Sequence, residues 1–100
     1  MKIKITARRL VVRAPLREFV EQHLLAALHR VVHGIAWTHV ELSDRNGRRG
    51  GGDKRCRVRI TPVVGAAVLV EETEANLKRA FVRAVSKAQR LCWRQMRLVT

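Results

Sequence analysis

Hydrophobic and polar residues along this chain follow two periods, which predict four strands and two helices. Strict alternation over short runs is typical of strands with one buried face, whereas apolar residues at every third or fourth position are typical of amphipathic helices. In chain order, the pattern predicts a strand at 2–6, a helix at 15–33, strands at 36–44, 54–63 and 66–72, and a helix at 74–98. Pro15 suits the first turn of the first helix, which we expect to end near Gly34.

The order β-α-β-β-β-α predicts an α+β two-layer sandwich. Three successive strands joined by turns form an antiparallel meander, and we expect the first strand to pair within the same sheet. The result is a four-stranded, mainly antiparallel sheet with both helices on its apolar face. At 100 residues the chain has the length of a single domain, 1–100, and we interpret the glycine-rich run at about 45–53 as a flexible loop.

The charge of the chain points to a polyanionic partner. Lys and Arg number 21 against 8 Asp and Glu, for a formal net charge of +13. Self-repulsion on this scale costs stability, and nucleic acid can offset it because cations release counterions from phosphates. A charge that served solubility alone would more often be of mixed sign. An anionic membrane surface is a weaker alternative, since the apolar faces of the helices are needed for the core.

Six cations of the last predicted helix fall on one face, which we call the cationic stripe. They are Arg79, Arg83, Lys87, Arg90, Arg94 and Arg97, at spacings of 4, 4, 3, 4 and 3 residues. On a helical wheel the stripe is roughly 90° wide and about 27 Å long, so its like charges repel one another. We predict that it binds RNA phosphates, for which Arg supplies a bidentate fork. The alternative is a solvated face whose cations meet acidic neighbours, of which only Glu74 is predicted within this helix.

The opposite face of this helix is predicted to line the core. Its residues are Leu77, Phe81, Ala84, Ala88, Leu91, Cys92 and Gln95. A second basic cluster lies between Arg45 and Arg59, and its candidates for a secondary RNA contact are Arg48, Arg49, Lys54 and Arg55. The arginines of the third strand are expected on the sheet face away from the helices, where they either contact a partner or keep an exposed face soluble. Trp37 alone is expected to offer a stacking aromatic there, so recognition should depend on phosphate and shape.

Candidate chemistry for catalysis is sparse. Glu71, Glu72 and Glu74 cluster at a strand–helix junction, where acids suit the helix dipole. His29 and His33 have an i,i+4 spacing that can bind a metal on a helix, but no third ligand accompanies them, and the two cysteines form no metal-binding pair. We therefore predict no enzyme activity, no metal, no cofactor and no small-molecule substrate. A metal-dependent RNA-processing enzyme that uses the two histidines is the alternative of that class.

Four passages resemble a known family over nearly the whole chain. They are Ile3-Lys-Ile-Thr6, Leu16-Arg-Glu-Phe-Val20, His39-Val-Glu-Leu-Ser43, and Asn46-Gly47 followed by Gly51-Gly52-Asp53-Lys54-Arg55-Cys56. In this order and spacing the sequence resembles the short ribosome hibernation-promoting factors, also called ribosome-associated inhibitor A or sigma-54 modulation proteins. The resemblance implies the β-α-β-β-β-α fold, which is related in shape to double-stranded-RNA-binding domains.

The resemblance also implies a role and a partner. Members bind the small ribosomal subunit between head and body, against 16S rRNA, where they cover the mRNA and tRNA positions and halt translation under stress. Their second helix is the principal rRNA-facing surface, which agrees with the cationic stripe. Basic residues near the first helix contribute as well, so the resemblance makes Arg30 a further candidate. A general RNA-binding module without ribosomal preference is the alternative function.

Two features depart from the family pattern. Members open the second helix with a Tyr-Ala-Ala-Ile-Asp-like run, where this chain has Lys78-Arg79-Ala80-Phe81-Val82, so we expect different contacts there. The sequence ends at Thr100, without the extension through which long members dimerise ribosomes, and we therefore expect a short-type factor that does not by itself join two ribosomes by that route. We also expect the protein to be a monomer off the ribosome. Because no apolar run is long enough to cross a membrane and no signal-like segment opens the chain, we expect a cytoplasmic protein.

Overall fold

The four strands form one sheet in the order in which they occur along the chain. The structure, a computed structural model, describes residues 1–45 and 54–99, and of 97–99 it describes the backbone alone. The elements are β1 (Lys2–Arg8), α1 (Ala14–Leu28), a 3-10 helix (His29–Gly34), β2 (Ile35–Asp44), β3 (Lys54–Pro62), β4 (Val68–Glu74) and α2 (Leu77–Val99). β1 pairs with β2 in parallel, and the pairs β2–β3 and β3–β4 are antiparallel. The predicted mainly antiparallel α+β sandwich is confirmed.

One apolar core lies between the sheet and the two helices. Alternate residues of the inner strands are buried, as the period of two predicts, and they include Thr38, Val40, Leu42, Cys56, Val58 and Ile60. The helices complete the core with residues at helical spacing, among them Val20, Leu24, Leu28, Phe81, Ala84, Val85 and Ala88. The small alanines let α2 approach the sheet closely. Leu91 departs from the predicted core face, because 41% of it is exposed.

The first helix is shorter than the hydrophobic pattern predicts. α1 starts near Pro15 as expected, but α-helical geometry ends at Leu28, and the chain continues as the 3-10 helix up to Gly34. The β-branched pair of Val31 and Val32 lies in this segment, and such side chains lose rotamer freedom in an α-helix. A 3-10 helix has about three residues per turn, so His29 and His33 do not share a face as an i,i+4 pair would.

The second helix begins later than predicted, at Leu77 rather than at residue 74. The backbone N–H of Arg79 donates to Asn76 Oδ1 at 3.1 Å, and the Ala80 N–H donates to the Asn76 carbonyl at 3.0 Å, so Asn76 caps the helix. β4 is correspondingly displaced from the predicted 66–72 and contains Glu71, Glu72 and Glu74. No acid lies in the first turn of α2, so the predicted role of these three residues at the helix dipole is wrong.

Most of the predicted glycine-rich loop lies outside the described residues. Of 45–53, the structure describes Arg45 only. Within the described part of the chain, no helix is long and apolar enough to cross a membrane.

Candidate nucleic-acid interface

The cationic stripe lies on the exposed face of α2 wherever its side chains are described. The exposed members are Arg79, Arg83, Lys87, Arg90 and Arg94. Their direction follows from packing, because the opposite face of the helix carries Phe81, Ala84 and Ala88 into the core. Arg79 and Arg94 are separated by about 22 Å along a straight helix. The backbone of Arg97 continues α2, and its side chain is outside the description.

Two acids of β4 pair with the middle of the stripe. Glu72 and Glu74 lie on the helix-facing side of β4, since they are in register with Cys56 and Lys54 of β3. Arg83 Nη1 donates to Glu74 Oε1 at 2.6 Å, and Lys87 Nζ forms an ion pair with Glu72 Oε1. For Arg83 and Lys87, therefore, the alternative holds in which stripe cations meet acidic neighbours within the fold. These ion pairs could not be predicted from the sequence of α2 alone, because both acids belong to the preceding strand, β4.

The environment of Glu72 favours its charged form. Its side chain is 12% exposed. The hydrogen bond from Lys87 lowers the pKa of Glu72 below its ordinary value, and the positive charges of Lys87 and Arg83 act in the same direction, while partial burial opposes them. Glu72 is therefore an anion at neutral pH and holds the Lys87 ammonium close to β4.

Of the stripe cations whose side chains are described, three remain for an external anion. Within 1–45 and 54–96, no acidic side chain forms an ion pair with Arg79, Arg90 or Arg94. Exposed ion pairs are each worth only about 0–1 kcal/mol, so phosphates can also compete for the paired cations in the middle. The stripe thus carries unpaired cations at both ends of its described length and partly neutralised cations between them.

Arg30 lies beside the C-terminal half of the stripe. Its guanidinium carbon is 5.4 Å from the ring centroid of Trp93, at a distance typical of a cation–π contact. Trp93 is half-buried, and its indole N–H has no acceptor among the described residues. Because Trp93 lies between Arg90 and Arg94 in α2, the contact attaches Arg30 to the same surface. This role of Trp93 is not among the predictions from the sequence, although the residue borders the stripe on a helical wheel.

The secondary candidates do not form one surface. Lys54 Nζ pairs with Asp44 Oδ2 at 2.9 Å on the helix-facing side of the sheet. Arg55 Nε pairs with Glu71 Oε1 at 3.2 Å, and Glu71 lies on the opposite, open face of the sheet. Arg48 and Arg49 lie outside the described residues. The structure therefore separates Lys54 from Arg55 and gives each of them an acidic partner.

At one end of the open face of the sheet, cations form ion pairs with acids. Besides the Arg55 pair, Arg8 Nε lies 3.7 Å from Glu41 Oε1, and Arg57 Nε lies 3.8 Å from Glu71 Oε2. As predicted, Trp37 lies on this face, and 44% of it is exposed. Lys2, which is not among the residues predicted from the sequence, places its Nζ 5.4 Å from the Trp37 ring centroid.

His23 and the two cysteines are engaged in packing. The His23 ring stacks on Phe19 at 5.8 Å and meets Phe81 edge-on at 5.4 Å, which agrees with the packed position predicted for it. Both cysteines are buried, and burial raises the pKa of Cys56 to about 12, so its reactive thiolate form is suppressed. Among the residues described, no three His, Cys, Asp or Glu side chains come together as a metal site would require.

Comparison with known proteins finds similarity over nearly the whole chain. A family model described as Sigma 54 modulation protein / S30EA ribosomal protein matches residues 3–95. The solved structure of the Thermus thermophilus Protein Y N-terminal domain is 32% identical, with a TM-score of 0.73 over 91% of this chain and 94% of that one. A ribosomal subunit interface protein from Coxiella burnetii has the same fold at 15% identity, with a TM-score of 0.78 over 96% and 98% of the two chains. Among curated protein sequences, no significant match is found.

Proposed function

Because this chain belongs to the Sigma 54 modulation protein / S30EA ribosomal protein family, we propose that it binds 16S rRNA on the small ribosomal subunit and blocks the mRNA and tRNA positions. The family is one of ribosome-associated factors, and the likeness to the Protein Y N-terminal domain extends over nearly the whole chain. The protein would inhibit translation under stress by occupying the mRNA and tRNA positions. We assign it no reaction, since occupancy of these positions is sufficient to stop translation.

The observation that carries this proposal is the exposure of the stripe cations on α2. Arg90 and Arg94, with Arg30 beside them, present guanidinium groups to solvent without an acidic partner in the described chain. Phosphate contacts of this kind position a protein on folded RNA through backbone and shape. The like charges of the stripe repel one another in the free, folded protein. Binding to a polyanion reduces this electrostatic repulsion.

Co-sedimentation with purified small subunits, combined with a cell-free translation assay, tests the proposal. The wild-type protein should pellet with the particles and inhibit translation. R90Q/R94Q should weaken particle binding roughly tenfold or more, since two charge-assisted contacts are lost. The matched control R8Q/R57Q removes the same charge from ion-paired positions of the open sheet face and should bind almost as wild type does.

Two outcomes would reject the proposal. One is a wild-type protein that neither pellets with particles nor inhibits translation. The other is an equal loss in R90Q/R94Q and R8Q/R57Q, which would mean that net charge alone governs the interaction. Equal affinity of the wild type for a naked RNA duplex and for small subunits would favour a general RNA-binding module instead.

A further inference from the structure

One corner of the open sheet face differs from the rest of that face in charge and in exposed apolar surface. We call it the Trp37 corner, and it consists of Lys2, Lys4, Trp37 and Arg59. In register, Lys2 is opposite Trp37, Lys4 is opposite His39, and His39 is opposite Arg59. Paired residues share a face of a sheet, and rows along a strand are about 7 Å apart, so these four side chains form one contiguous patch.

The cations of the Trp37 corner lack the acids that neutralise the other end of the face. Lys2, Lys4 and Arg59 are exposed, and none of them forms an ion pair with a described acidic side chain. At the other end, Glu41 and Glu71 pair with Arg8, Arg55 and Arg57. His39, between Lys4 and Arg59, is held by a hydrogen bond between its Nε2 and Thr6 Oγ1 at 2.9 Å. The positive charge of the sheet is therefore concentrated beside Trp37.

The Trp37 indole is 44% exposed on a sheet face that is mostly polar. The Lys2 ammonium lies over this ring at 5.4 Å, and Leu69, which is opposite Arg59 on β4, is 50% exposed. Flat aromatic side chains between cations are the features with which proteins bind single-stranded nucleic acid: bases stack on the ring and phosphates meet the charges. An acidic protein surface would match the cations but would leave the exposed indole without a stacking partner.

From this juxtaposition we propose that the Trp37 corner binds a single-stranded RNA segment, with one base stacked on Trp37 and phosphates held by Lys4 and Arg59. This surface is on the opposite side of the sheet from α2. The protein would therefore contact two separate RNA segments, one on each side. The RNA identity of the ligand rests on the proposed function, whereas the stacking geometry rests on the sheet alone.

Binding of a fluorescently labelled twelve-nucleotide oligouridylate to the full chain tests the inference. W37L should weaken binding roughly fivefold or more, which is the range for loss of one stacked base. K4Q/R59Q should lower the slope of log affinity against log salt by about 1.4, since two phosphate contacts to a single strand are lost. R8Q/R57Q changes the same charge on the same face and should leave the slope nearly unchanged.

Intrinsic fluorescence gives a second, independent readout. W93F, whose single remaining tryptophan is Trp37, should show quenching on addition of unlabelled oligouridylate and little quenching by an RNA duplex of equal length. K4Q/R59Q in the same W93F background should lose most of that quenching. Equal effects of K4Q/R59Q and R8Q/R57Q, or equal quenching of W93F by the oligouridylate and by the duplex, would overturn the inference. A wild-type protein that does not bind small subunits but shows Trp37-dependent quenching would reject the proposed function alone. A protein that binds small subunits but shows no Trp37-dependent quenching would reject RNA binding at the Trp37 corner alone.

Discussion

Two basic faces of this molecule, the exposed side of α2 and the open side of the sheet, differ in where their acids lie. On α2, Glu72 and Glu74 lie beneath the helix and reach only the middle of the stripe, which leaves Arg79, Arg90 and Arg94 unpaired within the described residues. On the sheet, Glu41 and Glu71 lie among the arginines themselves and neutralise one end of the face. We therefore expect the affinity of a face for phosphate to depend on the placement of a few acids more than on the number of its cations.

The largest effect is expected from removal of the unpaired stripe cations. R79Q/R90Q/R94Q should weaken binding to small subunits by about a hundredfold, because three charge-assisted contacts are lost, each worth at least about 1 kcal/mol in this setting. The slope of log affinity against log salt should fall by about 2 to 3. Equilibrium binding over a salt series measures both quantities.

The paired cations of the same helix provide the internal comparison. R83Q/K87Q removes two charges that Glu74 and Glu72 already partly neutralise. Its effect per charge should be clearly smaller than that of R79Q/R90Q/R94Q in the same salt series. An equal or larger effect per charge would mean that the acids of β4 do not shape the surface.

Removal of those acids should have the opposite sign. E72Q/E74Q releases Lys87 and Arg83, so affinity for naked RNA should rise several-fold, with a slope steeper by up to about 1.4 to 1.8. E18Q/E21Q makes the same change in net charge on α1, where no described cation forms an ion pair with either acid. A similar rise in both variants would assign the effect to net charge.

A smaller effect is expected at Trp93. W93L removes the ring beneath Arg30 and should reduce RNA affinity about threefold, within the range of roughly 0.5–1 kcal/mol for an exposed cation–π contact. W93F keeps an aromatic face and should retain most of the affinity. If the two variants behave alike, Trp93 serves only to pack the helix.

The smallest effect concerns pH. The pKa of Glu72 is lower in the folded chain than its ordinary value of 4.5, so its stabilising contribution is complete above 4.5 and is lost as the pH falls through the lower folded-state value. The free energy of unfolding in urea should therefore decline more steeply below pH 4.5 in the wild type than in E72Q. Parallel curves for the two proteins would contradict the Lys87–Glu72 pair.

The fold could be predicted because its signals are local. A period of two in the strands directs Thr38, Val40 and Leu42 to one side, and the structure buries these three residues. The signal for the start of α2 is also local, since an Asn followed by an apolar helical pattern is a typical N-cap. The predicted helix nevertheless begins three residues too early, because it includes Glu74 before Asn76. The end of α1 is harder to predict from the sequence, because its hydrophobic period continues into the 3-10 helix.

The site could be predicted only in part, because its electrostatics depend on contacts between distant elements. The helical spacing of the stripe is visible in the sequence, and so is its amphipathic direction. The pairing of Arg83 with Glu74 and of Lys87 with Glu72 requires the register of β4 against β3 and the position of α2 across both. The same holds for Arg30 on Trp93 and for Lys2 on Trp37, which join residues far apart in the chain.

A cryo-electron microscopy map of the small ribosomal subunit with the full chain bound tests the central claim most directly. We expect the exposed face of α2 to lie against 16S rRNA, with the Arg90 and Arg94 guanidinium groups within hydrogen-bond distance of backbone phosphates. A bound chain whose α2 face points to solvent or to a ribosomal protein would contradict the account.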